Sequence, residues 1–229
     1  MKRTRIKICG VCDRSTALAA AEAGADAIGL VFVERSPRQV SVEQAKRIVQ
    51  VLADSVEPIA LFVDADTNYI QQVASTLTIH TIQLHGHETP DFAARLTPLH
   101  TIKSMPFSVK NFFATVSSWQ AKCDNLAGIL LDTETVDTND SQLLPGGTGQ
   151  SFNWADLAAL LADRALPLGV PMILAGGLTP ENVGHAIEAV RPDFVDVSSG
   201  VESVRGIKDT AKIAAFCQAV RQTDKQIYG

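Results

Sequence analysis

A regular alternation of short apolar runs with longer helical segments constrains the fold of this chain most strongly. Eight of the runs have the length and apolar character of buried strands, and a helical pattern separates each from the next. Such alternation is typical of a parallel sheet. The predicted strands are residues 6–9, 27–32, 58–62, 81–84, 101–105, 128–131, 172–175 and 194–197.

Several of the helical segments begin with a recognisable cap. Ser41 with Gln44 has the pattern of a capping box, and Thr89 and Thr179 each precede a proline suited to the first turn of a helix. Asn153 precedes the segment WADLAALLA and is expected to cap it. These caps predict where four of the helices begin.

The number of strands favours a closed barrel. Eight strand–helix units in 229 residues average about 29 residues each, close to the proportions of a TIM barrel of about 250 residues. A doubly wound open sheet has fewer strands and, where it binds a dinucleotide, a G-x-G-x-x-G turn after the first strand. Here that strand ends in CGVC. We therefore predict an α/β protein, a single (β/α)8 TIM barrel whose one catalytic domain spans residues 1–229.

Charge and hydropathy exclude several classes of partner. The formal net charge is -5 and no basic block occurs, so we expect no nucleic-acid partner. No apolar run reaches the roughly 20 residues of a membrane span, and the N-terminal stretch turns polar too early for a signal peptide. The four cysteines lack a histidine at zinc-ligand spacing and are too few to staple the fold. We expect a cytoplasmic protein with free thiols and neither a metal nor a membrane partner.

Polar side chains occur where several predicted strands end. Cys9 closes the first strand, Arg38 follows the second, His85 follows the fourth and Asp132 follows the sixth. In a TIM barrel the active site lies at the C-terminal ends of the strands. These four residues are therefore expected to face one pocket.

Alternation along the first and eighth strands predicts which side chains point into the barrel. Lys7 and Cys9 share one face, and the apolar pair Ile6 and Ile8 shares the face toward the helices. By the same rule Asp196 points inward. Since the first and eighth strands are neighbours in a closed barrel, Asp196 is the expected partner of a buried Lys7.

Glycine-rich turns after the last three strands predict a phosphate site. Backbone N–H groups in such turns bind phosphate without a lysine, and the loops after strands seven and eight are the usual phosphate site of this fold. The long polar connection at 133–145 is expected to act as a mobile lid. The predicted phosphate ligands are Gly147, Thr148, Gly149, Gly176, Gly177, Ser199 and Gly200.

Taken together and in this order, the strand-end motifs resemble those of the phosphoribosylanthranilate isomerase family. The resemblance runs from residue 7 to residue 202, and the set is far more specific than any one of its members. The motifs are KICG at 7–10, SPR at 36–38, QLHG at 83–86, LLD at 130–132, GGTG at 146–149, LAGGL at 174–178 and DVSSGVE at 196–202.

This resemblance implies a cofactor-free isomerase of tryptophan biosynthesis. Its reaction is the Amadori rearrangement of N-(5'-phosphoribosyl)anthranilate to 1-(o-carboxyphenylamino)-1-deoxyribulose 5-phosphate. The family's motifs imply that Cys9 is the general base, that Asp132 is the general acid and that Arg38 binds the anthranilate carboxylate. His85 and Asp196 are expected to bind substrate, and for Asp196 a purely structural role beside Lys7 stays open.

The implied roles require particular protonation states. Ring opening needs a proton for the furanose oxygen, and the following step removes the proton from C2'. Lys7 below Cys9 is expected to favour the thiolate. The apolar run before Asp132 is expected to raise the pKa of that carboxyl group, so that it holds a proton.

Two alternatives stay open at this point. One is another phosphosugar isomerase of the same architecture, such as the related enzyme of histidine biosynthesis, which uses two aspartates; the thiol at Cys9 argues against it. The other is a non-catalytic barrel that only binds a phosphometabolite and would tolerate loss of Cys9 and Asp132. Either way we expect a small phosphorylated ligand and a monomer or homodimer.

Overall fold

The computed structural model of this chain describes residues 3–133, 153–162 and 169–229. Within these residues eight strands form a closed barrel in sequence order, and every neighbouring pair is parallel. The strands are β1 (Arg5–Cys9), β2 (Ala27–Val31), β3 (Glu57–Phe62), β4 (Thr81–Leu84), β5 (His100–Pro106), β6 (Leu126–Asp132), β7 (Met172–Leu174) and β8 (Phe194–Val197).

A helix follows each barrel strand, which confirms the predicted TIM-barrel fold. After β8 the chain first forms a short 3-10 turn (Ser199–Val201) and a hairpin of β9 (Glu202–Val204) and β10 (Ile207–Lys208). The helices are α1 (Arg14–Glu22), α2 (Val42–Val49), α3 (Thr67–Leu77), α4 (Pro90–Ala94), α5 (Phe112–Lys122), α6 (Trp154–Ala162), α7 (Val183–Val190) and α8 (Thr210–Tyr228).

The predicted strands all overlap the observed ones, with small differences at their ends. The largest difference is in β6, which begins at Leu126 where apolar patterning predicts residue 128. Strand ends fray and depend on hydrogen bonds to neighbours, which a single sequence does not display. Asp132 is the last residue of β6, so its side chain lies at the C-terminal end of the barrel.

Three of the predicted helix caps are present. Ser41 and Gln44 form the capping box at the start of α2, with bonds of 3.1 and 2.9 Å between each side chain and the other residue's N–H. Thr89 caps α4, and Asn153 Oδ1 accepts a bond of 3.0 Å from the N–H of Ala155. These bonds satisfy N–H groups that have no partner within their helices.

The predicted start of a helix at Thr179-Pro180 is wrong. Helix α7 begins at Val183, after Asn182. Asn182 Oδ1 accepts a hydrogen bond of 2.8 Å from the N–H of Thr179, and Asn182 Nδ2 donates one of 2.9 Å to the carbonyl of Gly177. These bonds close a turn, so the loop after β7 runs further than the proline pattern predicts.

Apolar side chains fill both the space between strands and helices and the lower part of the barrel interior. Ile6 and Ile8 belong to the outer layer, as the alternation predicts. Lys7 is fully buried inside the barrel, and its Nζ donates to Asp196 Oδ1 over 2.9 Å. The ion pair expected between the first and eighth strands is therefore present, and it offsets the cost of burying the ammonium group.

Among the described residues, no helix is long and apolar enough to cross a membrane.

Candidate active site

A pocket of about 860 Å³, including space open to solvent, lies at the C-terminal ends of the strands. Of the residues predicted for the site, those that line this pocket are Cys9, Arg38, His85, Asp132, Gly176, Gly177, Asp196 and Ser199.

Gly200 is the one described residue of the predicted site that does not line this pocket. Gly147, Thr148 and Gly149 lie outside the described residues, as does the predicted lid at 133–145 except for its first residue. Gly200 packs against the carbonyl of Leu178, and a side chain there would overlap that backbone. Gly200 therefore lets the turn after β8 pack against the loop after β7, outside the pocket lining.

Cys9 ends β1 and is almost fully buried. Burial raises the pKa of its thiol above the ordinary value, and the positive charges of Lys7 and Lys208 only partly offset this rise. Lys7 therefore favours the thiolate, as expected, but burial has the larger effect on the pKa of Cys9. Lys7 has the expected direction of effect, but its charge is already paired with Asp196.

Asp132 sits at the end of β6 in a largely desolvated position. Burial raises the pKa of its carboxyl group, and hydrogen bonds from Thr133 oppose that rise. The Thr133 N–H donates to Asp132 Oδ1 over 2.7 Å. The direction of the shift agrees with the sequence expectation, and it keeps the carboxyl group protonated at higher pH than a solvated aspartate.

His85 lies beside Asp132, with its Nε2 3.5 Å from Asp132 Oδ2. Burial, with help from the charges of Lys7 and Lys103, lowers the pKa of His85 to about 4. Its imidazole is therefore neutral at pH 7. A neutral ring can donate one hydrogen bond and accept another without adding charge to the pocket.

Gln83 is a pocket residue to which the sequence assigned no role. Its Nε2 lies 3.0 Å from His85 Nδ1. With the amide donating, Nδ1 is the acceptor and the ring proton lies on Nε2, on the side of Asp132. Gln83 and His85 are two residues apart in an extended segment, so their side chains point to the same face. This spacing is the sequence signal that could have linked them. Within the described part of the chain, Gln83 Oε1 has no hydrogen-bond partner.

The loop that carries His85 is fixed from outside the barrel by Glu88. Both carboxylate oxygens of Glu88 accept backbone bonds, one from Asp64 and one from Gly86, over 2.8 and 2.9 Å. Lys103 Nζ lies 2.8 Å from Glu88 Oε2. This buried group of bonds restricts the loop, and with it the ring of His85.

Arg38 is engaged by a carboxylate of the protein. Its Nε and Nη2 donate to the two oxygens of Glu202 over 2.7 and 3.0 Å. Lys208 Nζ also donates to Glu202 Oε1 over 2.8 Å. Hydrogen bonds from Arg38 and Lys208 outweigh the desolvation of Glu202 and lower its pKa to about 2.

The roles of Glu202 and Lys208 were missed in the sequence. Glu202 stands within a recognised motif, but nothing in the spacing indicates that it bonds to Arg38, 164 residues away. Both residues lie in the β9–β10 hairpin, whose strands are too short for an apolar periodicity that would predict which way their side chains point. The hairpin thus ties the loop after β2 to the loop after β8.

Asp196 occupies a position that suits both of its predicted roles. It neutralises Lys7, and it also lines the pocket. The pKa of Lys7 is raised, although burial acts against the charged form, because Asp196 favours it. Lys7 therefore stays protonated beneath Cys9.

The turns after β7 and β8 bring backbone to the pocket. Gly176 and Gly177 have left-handed φ angles of 83° and 63°. A side chain on Gly176 would approach Thr133 Oγ1 to 2.6 Å and Asp132 Oδ1 to 3.0 Å. Glycine at this position therefore lets the β7 turn pass close to the end of β6.

Within the described residues, no group of three or more His, Cys, Asp or Glu side chains could hold a metal ion.

Comparison with known proteins agrees with this geometry. A family model described as N-(5'phosphoribosyl)anthranilate (PRA) isomerase matches residues 6–219. The N-(5'-phosphoribosyl)anthranilate isomerase of Pseudomonas fluorescens (strain SBW25) is 43% identical over 225 residues, which cover 97% of this chain and 98% of that protein. The corresponding protein of Pseudomonas aeruginosa (strain UCBPP-PA14) is 42% identical over 223 residues, covering 96% and 97%.

Solved structures give the same result. The crystal structure of phosphoribosyl anthranilate isomerase from Thermotoga maritima aligns with a TM-score of 0.81 at 34% identity, covering 96% of this chain and 99% of that one. A phosphoribosyl anthranilate isomerase in complex with reduced 1-(o-carboxyphenylamino)-1-deoxyribulose 5-phosphate aligns with a TM-score of 0.78 at 33% identity, with the same coverage. The chain belongs to the N-(5'-phosphoribosyl)anthranilate isomerase family.

Proposed function

We infer that this chain converts N-(5'-phosphoribosyl)anthranilate to 1-(o-carboxyphenylamino)-1-deoxyribulose 5-phosphate in tryptophan biosynthesis. The observation that carries this inference is one pocket lined by a thiol and a carboxyl group from different strands, in a chain of this family. A structural relative binds the reduced form of that product. Membership of the family also disfavours the related phosphosugar isomerase of histidine biosynthesis.

Asp132 is proposed as the general acid that opens the ribose ring. Its proton passes to the furanose oxygen as the bond from that oxygen to C1' breaks, and the anthranilate nitrogen forms a double bond to C1'. The raised pKa of Asp132 supports this role. The resulting carboxylate keeps the hydrogen bond from the N–H of Thr133.

Cys9 is proposed as the general base for the second step. Its thiolate removes the proton from C2', and the electron pair forms the C1'–C2' double bond of an enol-amine. Transfer of the enol proton to C1' then gives the ketone. The ammonium groups of Lys7 and Lys208 act to stabilise the thiolate. Because the substrate's own amine serves as the electron sink, the reaction needs no cofactor.

Substrate binding is proposed to divide between two ends of the pocket. Arg38 binds the anthranilate carboxylate, as a planar cation with several N–H donors is suited to do. Backbone N–H groups of the turns after β7 and β8 bind the phosphate, together with the glycine turn at 146–149. Asp196 binds a ribose hydroxyl with the oxygen that Lys7 leaves free, and His85 lines the pocket beside the acid.

One barrel carries those of these residues that the structure describes, which supports a single catalytic domain over residues 1–229. All four cysteines are free thiols, and this suits the reducing cytoplasm. The proposed assembly is a monomer or a homodimer.

The experiment that tests this function is conversion of synthesised substrate. The fluorescence of N-(5'-phosphoribosyl)anthranilate is followed after addition of the wild-type protein, and the product is identified by NMR through its ketone carbon. The proposal predicts catalytic decay and a single ketose product. Binding of the substrate without conversion would instead identify a phosphometabolite-binding module.

A further inference from the structure

The segment after β8 connects the loop after β7 with the loop after β2. At its start Gly200 packs on the backbone of Leu178, in the loop after β7. At its far end Gly206, with a left-handed φ of 87°, packs on Pro37 in the loop after β2. A side chain on Gly206 would come within 2.6 Å of the Pro37 carbonyl oxygen. The segment therefore begins at the proposed phosphate end and finishes beside Arg38.

Arg205 immediately precedes Gly206 and is held at this second end. It lies between β9 and β10, is exposed, and lines the pocket. Among the residues that the structure describes, its guanidinium forms neither an ion pair nor a hydrogen bond. It is thus a cation at the pocket mouth without a described counter-ion.

Arg38 differs from Arg205 in this respect. Two of its nitrogens, Nε and Nη2, already donate to Glu202, and its positive charge is partly cancelled by that carboxylate. An anionic ligand placed beside Arg38 would also be repelled by the negative charge of Glu202. Lys208 pairs with the same carboxylate. A second arginine at the same end would restore a net attraction for an anion.

We propose that Arg205 determines specificity by binding the aryl carboxylate of the substrate together with Arg38. The assignment rests on the proposed function of the pocket and adds a residue to it. Contact of Gly206 with Pro37 places Arg205 at the Arg38 end, whereas the phosphate is assigned to the turns at 176–177 and 199–200. An exposed guanidinium in a short hairpin turn can close over a planar carboxylate with paired N–H donors.

The test compares two ligands that differ only in the carboxylate. Calorimetry measures binding of reduced 1-(o-carboxyphenylamino)-1-deoxyribulose 5-phosphate and of its phenylamino counterpart without the carboxylate. The proteins are wild type, Arg205→Gln, Arg205→Lys and the control Arg47→Gln, which removes an exposed arginine on α2. Thermal unfolding verifies that each variant is folded.

Arg205→Gln is expected to raise the Kd of the carboxylated ligand about ten- to a hundredfold, because a charge-assisted hydrogen bond is lost. The ligand without the carboxylate should bind unchanged, Arg205→Lys should recover part of the loss, and Arg47→Gln should behave as wild type. The proposal would be overturned if Arg205→Gln raised the Kd of both ligands equally, or changed neither Kd. Failure of wild type to turn over substrate would instead count against the proposed function, and the ligand comparison would still decide the role of Arg205.

Discussion

Nε2 of the neutral His85 lies 3.5 Å from Oδ2 of Asp132, and the opposite ring nitrogen is held by Gln83. The neutral ring gives the carboxyl group no positively charged neighbour. It thereby allows the pKa of Asp132 to stay raised by burial, which a protonated imidazole at this distance would oppose. We therefore expect His85 to position the acid rather than to act as a charged ligand of the substrate.

Replacing His85 by Leu is expected to lower kcat about tenfold to a hundredfold with little change in KM, since a misplaced catalytic group has an effect of this size. Gln83→Leu should act in the same direction with a smaller effect, because it frees the ring without removing it. Steady-state kinetics at pH 7 measures both. A rise in KM alone in His85→Leu would assign His85 to substrate binding instead.

The protonation states of Cys9 and Asp132 predict the pH dependence of turnover. Activity requires the thiolate together with the protonated carboxyl group, and burial raises the pKa of both groups. The pH profile of kcat/KM should then be a broad bell. Its two limbs report the titration of Asp132 and Cys9, each displaced upward from the ordinary value for its group.

Alkylation of Cys9 provides an independent measurement. Its rate with iodoacetamide should rise with pH and reach half of its maximum at a pH above the ordinary pKa of a thiol, because burial raises the pKa of Cys9. Cys12→Ser is the background for this experiment, since the thiol of Cys12 is only partly buried. A midpoint near pH 7 would mean that Lys7 and Lys208 outweigh burial after all.

Glu202→Gln is expected to destabilise the fold by about 3 kcal/mol at pH 7, because it leaves Arg38 and Lys208 without their shared counter-ion. The folded-state pKa of Glu202, about 2, lies below the ordinary glutamate value of 4.5. Its contribution to stability is therefore complete above pH 4.5 and is lost as the pH falls toward 2. Urea unfolding of wild type and variant should converge over that range, and a constant difference would contradict the ion-pair explanation.

Asp196→Asn should lower the free energy of unfolding by about 3 to 5 kcal/mol, since it leaves the ammonium of Lys7 buried and unpaired. The double variant Lys7→Met/Asp196→Asn should recover most of that loss. Its KM then separates the two roles of Asp196. A raised KM in the stable double variant indicates contact with the ribose, and an unchanged KM indicates that Asp196 only neutralises Lys7.

Strand ends and alternation were enough to predict much of this site. Cys9 and Asp132 were found because they close apolar runs, and the Lys7–Asp196 pair because neighbouring barrel strands share one inward face. The pairing of Arg38 with Glu202 depends on how a hairpin folds back over the barrel, and no periodicity in the chain encodes it. The net pKa of Cys9 does not follow from the sequence, because it depends on the balance between burial and two lysines, one of them supplied by that same hairpin.

The most direct test of the catalytic pair is kcat for Cys9→Ala and Asp132→Asn, measured by the decay of substrate fluorescence. Cys12→Ser and Asp91→Asn serve as matched controls, because they make comparable changes at groups outside the proposed machinery. Circular dichroism and binding of the reduced product verify that each variant is folded with an intact pocket. We predict that both pocket variants lose turnover while the controls retain it, and wild-type kcat in either pocket variant would contradict the account.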